Sequence, residues 1–196
     1  SPIAYSEKTE GSNLFVRNYT QGPLYAAITG YFSAGSLTAT GIEAAENTVL
    51  EGESSSLFWQ RIRSLIAGDR RQGGGVVRTV NPAREEAAAE LLGGRPGAVV
   101  AIDAKTGAIR ALYSSPSFDP TPLASLDSAV AADAAAKLEE DPGRPLDNRA
   151  IAGTRYAPGS VFKILTTAVM LENGVSPSTP IEAPVSTVLP NTETSV

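Results

Sequence analysis

The sequence predicts an α+β protein in two parts, and three observations carry that expectation. Two apolar stretches at 98–102 and 108–113 flank a five-residue turn ending in Gly107, which reads as a β-hairpin. Several longer runs have helical spacing or composition. The third observation is the polar, glycine-rich run at 69–75, which lacks periodicity and divides the chain into 1–75 and 76–196.

In the first part, residues 13–20 and 24–29 read as short strands broken by Gln21-Gly22-Pro23. Residues 42–50 suit a short helix closed by Gly52. From 54 to 67, Phe58, Ile62, Leu65 and Ile66 fall on one helical face, with Gly68 as a stop. The triple glycine at 73–75 is no phosphate loop, because no Gly-Lys-Ser/Thr follows it. Asn18-Tyr19-Thr20 has the letters of a glycosylation acceptor but reads as strand sequence.

The second part opens with a strand at 76–80. Asn81 then caps a helix with Pro82 in its first turn, running to Gly93-Gly94. The hairpin follows, then an Ala-rich helix from 122 to about 140 whose acidic end, Glu139-Glu140-Asp141, is a solvated terminus. Residues 142–155 are a connector, and the chain after Gly174 is extended or loop.

The most informative stretch is 156–171. Pro158-Gly159 turns into a run, 161–171, that is apolar on nearly every side, and Asn173-Gly174 ends it. Such a helix belongs inside a domain. It contains one charge, Lys163, three positions after Ser160, so the two side chains share one face within a turn. A lysine buried in such a helix loses hydration and is drawn toward the neutral amine, which makes it a base beside a nucleophile at the positive helix end. The chain has no His and no Cys, which removes a Ser-His-Asp triad, a Cys-His dyad and the usual zinc sites. Yet 19 Ser and 4 Lys in 196 residues produce this spacing by chance about 0.4 times. The residues alone therefore leave two readings: a catalytic pair, or a lysine that snorkels or pairs with an acid.

Composition narrows the partners. A net charge of -5 and 19% charged residues leave no basic stripe to neutralise phosphates, so no nucleic-acid partner is expected. No apolar run approaches the ~20 residues of a membrane span. The chain starts at Ser1 without an initiator Met, consistent with a processed or trimmed product lacking its anchor or signal.

In order along the chain, Gly30-Tyr31-Phe32-Ser33, the run from Gly41-Ile42-Glu43 to Leu50-Glu51-Gly52, the hairpin with Ser115-Pro116-Ser117-Phe118-Asp119-Pro120, Asn148-Arg149-Ala150, and Pro158-Gly159-Ser160-Val161-Phe162-Lys163 resemble the signatures of the class B penicillin-binding proteins, closest to the actinobacterial penicillin-binding protein A group. The resemblance implies a small pedestal, or dimerisation-like, domain over 1–75 and the N-terminal part of a serine transpeptidase domain over 76–196, helices packed on an antiparallel sheet. It implies a peptidoglycan D,D-transpeptidase in which Ser160 is the nucleophile, its backbone N–H donates to the oxyanion, and Lys163 is the general base, with no cofactor and no metal. The implied partners are peptidoglycan stem peptides, β-lactam antibiotics, and cell-division or glycan-polymerase membrane proteins. The implied location is the extracytoplasmic face of the membrane. A D,D-carboxypeptidase or β-lactamase-type hydrolase and a non-catalytic β-lactam sensor are the alternatives. The family's Ser-x-Asn and Lys-Thr/Ser-Gly motifs follow the nucleophile and do not occur here. Lys105-Thr106-Gly107 has the letters of the latter but precedes Ser160 on a hairpin turn, and is rejected. The family's opening Arg-Gly-x-Ile segment is also missing. The chain is therefore expected to be an inactive portion, accompanied by the remaining C-terminal transpeptidase segment that covers its apolar surface.

Overall fold

The structure is a computed structural model describing residues 1–53, 73–153, 156–182, 184–188 and 190–195. They form two compact units, Ser1–Arg155 and Tyr156–Val196. Helices and separate two-stranded antiparallel sheets make up the first unit, an α+β architecture as expected.

Its chain begins with β1 (Ala4–Lys8) and β2 (Phe15–Tyr19), paired antiparallel from Ala4↔Tyr19 to Lys8↔Phe15. Polar, largely exposed β1 carries little alternation, so sequence periodicity missed it. Residues 24–29, expected as a strand, instead lie in helix α1 (Gly22–Thr29). Tyr, Ile and Thr favour strands, but Pro23 in the first turn suits a helix start. Burial decides: Tyr25, Ala26, Ile28 and Thr29 are covered, which is the spacing of one helical face rather than alternation.

After α1, β3 (Phe32–Ser33) pairs with β4 (Thr38–Ala39), and two short helices follow, α2 (Gly41–Ala45) and α3 (Asn47–Leu50). The single helix expected over 42–50 is thus split at Glu46, whose φ of -111° and ψ of 21° leave the helical region. The Gly52 N–H then closes α3 on the Val49 carbonyl at 3.0 Å. Two glycines account for the spacing of the Gly-Tyr-Phe-Ser and Gly-Ile-Glu segments. Gly30 and Gly41 have φ of 63° and 57° and pack backbone to backbone: a Cβ on Gly41 would lie 2.5 Å from the Gly30 nitrogen. Glu43, almost wholly buried, accepts from the Arg17 Nε at 2.7 Å, and the nearby Tyr19 hydroxyl accepts the Phe32 N–H at 2.8 Å. Burial, then the Glu43 carboxylate, push the Tyr19 hydroxyl's pKa upward. The helix expected over 54–67, and residues 69–72 of the expected break, lie outside the described residues.

Residues 76–80 were expected to form a strand but belong to no regular element. They reach the hairpin mainly through side chains: Thr79 Oγ1 donates to the Ile109 carbonyl at 2.7 Å, and only at Asn81 does a backbone N–H reach Arg110, at 2.9 Å. Asn81 does cap helix α4 (Pro82–Leu92), its side chain accepting the Arg84 N–H at 3.3 Å, and Gly93 closes it with a φ of 54°. The hairpin is β5 (Gly97–Ile102) and β6 (Ile109–Ser115), in register from Gly97↔Ser115. The Ala-rich helix begins later than expected: a 3₁₀ turn at Pro122–Ala124 precedes α5 (Ser128–Glu140). Ser125 is extended, and the Asp127 carboxylate accepts the Ala129 N–H at 2.9 Å, so an N-cap sets the true start.

The core of this unit gathers Tyr25, Ile28 and Leu112, with Ile3, Leu24, Ala27, Ile42, Val80 and Ala150 packed around them. Helices α1 and α4 both pack on β6. From α4, the fully buried Glu85 reaches the outer edge of β6, its Oε2 accepting the Leu112 N–H at 2.9 Å. A carboxylate thereby fills a position that a neighbouring strand would take. Its Oε1 has no partner among the described residues. Burial pushes the Glu85 carboxyl upward, partly opposed by the Leu112 hydrogen bond and by Arg78, whose guanidinium lies 4.9 Å above the Tyr25 ring.

Candidate active site

In the second unit, Ser160 is the middle residue of a 3₁₀ turn, Gly159–Val161, that runs directly into helix α6 (Phe162–Glu172). Gly159, with φ of 52°, makes the turn, as Pro158-Gly159 suggested. Lys163 is the second residue of α6, one turn beyond Ser160. Ser160 therefore stands in the first turn, where backbone N–H groups have no intrahelical acceptor and can serve an anionic oxygen. The C-terminus is closed as expected. Gly174 has φ of 81°, Val175 N–H bonds the Met170 carbonyl at 3.0 Å, and Gly174 N–H bonds that of Leu171 at 3.0 Å, a Schellman pattern.

Burial is the correction. Residues 161–171 were expected to be enclosed, with Lys163 among them, but no residue of α6 is buried in this chain. Ile164 is 74% exposed and Phe162 53%. Lys163 is exposed too, so the desolvation argued from its neighbours is not supplied here. Among the described residues no hydrogen bond joins Ser160 to Lys163. An apolar helix surface specifies that something must cover it, without specifying that the cover is in the same stretch of chain. The two threonines of the helix already bond within it: Thr166 Oγ1 donates to the Phe162 carbonyl at 3.2 Å and Thr167 Oγ1 to that of Lys163 at 2.8 Å. Their hydroxyls could therefore be covered without loss of a partner, leaving the Lys163 amine as the group that needs one.

Lys105-Thr106-Gly107 occupies the β5–β6 turn. The Thr106 side chain, then the Thr106 and Lys105 N–H groups that donate to Asp103 Oδ1 at 3.0 and 3.1 Å, hold the Asp103 carboxyl below its ordinary range. This is turn chemistry. Sequence periodicity gave no sign of the density of contacts in the connector at 142–153. There the Arg149 guanidinium donates to the carbonyls of Gly143 at 2.8 Å and Arg144 at 3.1 Å, and Asn148 Nδ2 to that of Ala27 at 2.7 Å. The signal that could have found it is the Asn148-Arg149-Ala150 tripeptide.

Comparison with known families agrees with this arrangement. A family model described as the penicillin binding protein A dimerisation domain matches residues 1–76, and one described as the penicillin binding protein transpeptidase domain matches 97–193. The chain belongs to the penicillin-binding proteins. Within them it is similar to the peptidoglycan D,D-transpeptidase PbpA of Mycolicibacterium smegmatis, 41% identical over 194 residues that cover 96% of this chain and 39% of that protein. Among solved structures it is similar to penicillin-binding protein A from M. tuberculosis in its penicillin G acyl-enzyme complex, with a TM-score of 0.84 and 38% identity over 99% of this chain and 45% of that one. Pseudomonas aeruginosa PBP2 matches with a TM-score of 0.74 and 28% identity, over 98% of this chain and 43% of that one. The chain thus spans less than half the length of these relatives.

Proposed function

We propose that this chain is the dimerisation region (1–75) and the nucleophile-bearing first part of the transpeptidase domain (76–196) of a peptidoglycan D,D-transpeptidase. The observation that carries the reading is a serine in the first turn of an apolar helix with a lysine one turn on, in a chain similar throughout to transpeptidases. Ser160 Oγ attacks the carbonyl of the penultimate D-Ala in a stem peptide ending D-Ala-D-Ala, while the Lys163 amine takes its proton. The Ser160 N–H donates to the oxyanion of the tetrahedral intermediate. The C–N bond to the last D-Ala breaks, that residue leaves with the proton, and a serine ester remains. An amine of a neighbouring stem peptide then attacks the ester, forming the cross-link and freeing the serine.

A β-lactam offers the same carbonyl, and ring opening leaves it esterified to Ser160. The M. tuberculosis relative forms a penicillin G acyl-enzyme complex, which supports this for the present chain. The further transpeptidase segment supplies the remaining polar groups of the site and the cover for α6, and the chain alone is inactive. The whole protein acts on the outer face of the membrane, held by an N-terminal anchor and working beside membrane-bound glycan polymerases or division proteins. No described helix is long and apolar enough to cross a membrane. Gel labelling of the complete protein with a fluorescent penicillin tests the reading. Labelling is expected in the wild type and none in Ser160→Ala; an unlabelled wild type, or a labelled Ser160→Ala, overturns it. Rapid release of the label would instead favour the hydrolase alternative.

A further inference from the structure

Ser160 enters α6 through a turn closed by two backbone hydrogen bonds. The Val161 N–H donates to the Pro158 carbonyl at 3.2 Å, and the Phe162 N–H donates to the Gly159 carbonyl. The Ser160 N–H sits just ahead of these donors and has no acceptor among the described residues. It belongs to the planar peptide that joins Gly159 to Ser160, so the backbone torsions of Gly159 decide where it points.

The residues on either side are right-handed. Pro158 has φ of -66° and ψ of -21°, Val161 -64° and -28°, and Phe162 -61° and -24°. Gly159, with its φ of 52°, is the one described residue between Pro158 and Asn173 that turns the other way. Space does not demand a glycine there: a Cβ would meet no heavy atom within 4 Å beyond its chain neighbours. Conformation does demand one. An L side chain opposes a positive φ, Asn least and β-branched residues most. Relaxing φ from 52° to about -60° is a rotation of roughly 110°, and it carries the Ser160 N–H and Oγ away with it.

We propose that Gly159 is a positioning residue for acylation at Ser160, its left-handed backbone aiming the Ser160 N–H at the oxyanion and keeping Oγ one turn from Lys163. This rests on the transpeptidase reading above. A side chain at 159 favours the relaxed turn, and the serine must then be returned to the reactive geometry before each attack. The barrier rises by the conformational penalty of that side chain.

Acylation of the complete protein by a fluorescent penicillin, followed in time over a range of concentrations, tests this. Three variants separate conformation from size: Gly159→Asn, Gly159→Ala and Gly159→Val. At saturating penicillin we expect Gly159→Asn to acylate within about threefold of the wild type, Gly159→Ala about tenfold more slowly, and Gly159→Val more slowly still. The half-saturating concentration and the fraction finally labelled should stay at wild-type values. A purely steric role puts the smaller alanine ahead of asparagine, and a purely structural role lowers the labelled fraction without changing the rate constant. Either result overturns the proposal, as do wild-type rates in the Ala and Val variants, a change confined to the half-saturating concentration, or three variants that all fail to fold. If wild-type protein is not labelled through Ser160, the transpeptidase reading itself falls. Normal wild-type labelling with unaltered Gly159 variants removes only the inference.

Discussion

Helices α1 and α6 are both built from apolar and small residues, yet Tyr25, Ala26, Ile28 and Thr29 of α1 are buried while no residue of α6 is. The difference lies in what surrounds each helix. Around α1 the chain supplies Leu112 of β6, Ile3, Ile42 and Val80, and side-chain donors to two of its carbonyls, Ser117 Oγ at Pro23 and Asn148 Nδ2 at Ala27. Around α6 the described residues of the unit Tyr156–Val196 supply only the 3₁₀ turn, loops and one isolated bridge, Val188↔Ser195. Apolar composition therefore states a requirement for cover, and topology decides which residues meet it.

The strongest way to sharpen this contrast is through chemistry. On the proposed reading, in which Lys163 is the general base and the further segment covers α6, Lys163→Ala in the complete protein should slow acylation by ~10²–10⁴-fold with Ser160 intact. Lys163→Arg should not restore it, since a guanidinium does not give up its proton. Stopped-flow acylation measures both, and near-normal rates would place proton transfer elsewhere.

Stability is the next arm. Tyr25→Ala, at a residue 2% exposed, should cost about 3–5 kcal/mol by denaturant unfolding. Leu165→Ala, at a residue 55% exposed, should stay within roughly 0.5 kcal/mol in the 196-residue chain. In the complete protein it should rise to about 2–5 kcal/mol. Equal costs in both lengths would show that α6 remains exposed throughout.

Glu85 tests whether the α4–β6 contact that completes the α1 environment is electrostatic or steric. Glu85→Leu leaves the Leu112 N–H without its acceptor and should cost about 1–3 kcal/mol. Glu85→Gln keeps an acceptor and should flatten the pH dependence of stability. The sign follows from the raised carboxyl: the folded state holds the proton more tightly, so Glu85 contributes most below the ordinary glutamate range. That contribution fades as pH rises through the elevated folded-state value. Unfolding midpoints of wild type and Gln variant from pH 4 upward should show it, and parallel curves would count against a raised Glu85. The smallest effect concerns a cap: Asn81→Ala should cost about 1 kcal/mol, read from the same unfolding curves.

Local signals carried a good part of the structure into the sequence. Asn81-Pro82 with Gly93 bounds α4, Asp103 with Gly107 makes the hairpin turn, and Asn173-Gly174 closes α6, each through chemistry complete within a few residues. The misreadings fall where long-range contacts outvoted propensity. Residues 24–29 have strand formers but a helical burial pattern set by β6, and 76–80 has strand letters but lies against the hairpin through side chains. Of the candidate site, the Ser160–Lys163 spacing and its place at a helix start were legible, because one turn of helix fixes both. The Asn148 hydrogen bond to the Ala27 carbonyl was not, since its partner lies 121 residues away.

By itself the sequence determined the caps, the turns, the hairpin and a helix that places an amine one turn after a hydroxyl, because each depends on neighbours along the chain. Only the tertiary structure decided which apolar surfaces find cover, which carboxylate is shut into the core at Glu85, and which irregular segment is pinned to α1. Those outcomes depend on groups far apart in sequence meeting within hydrogen-bonding distance, and no local pattern encodes that meeting.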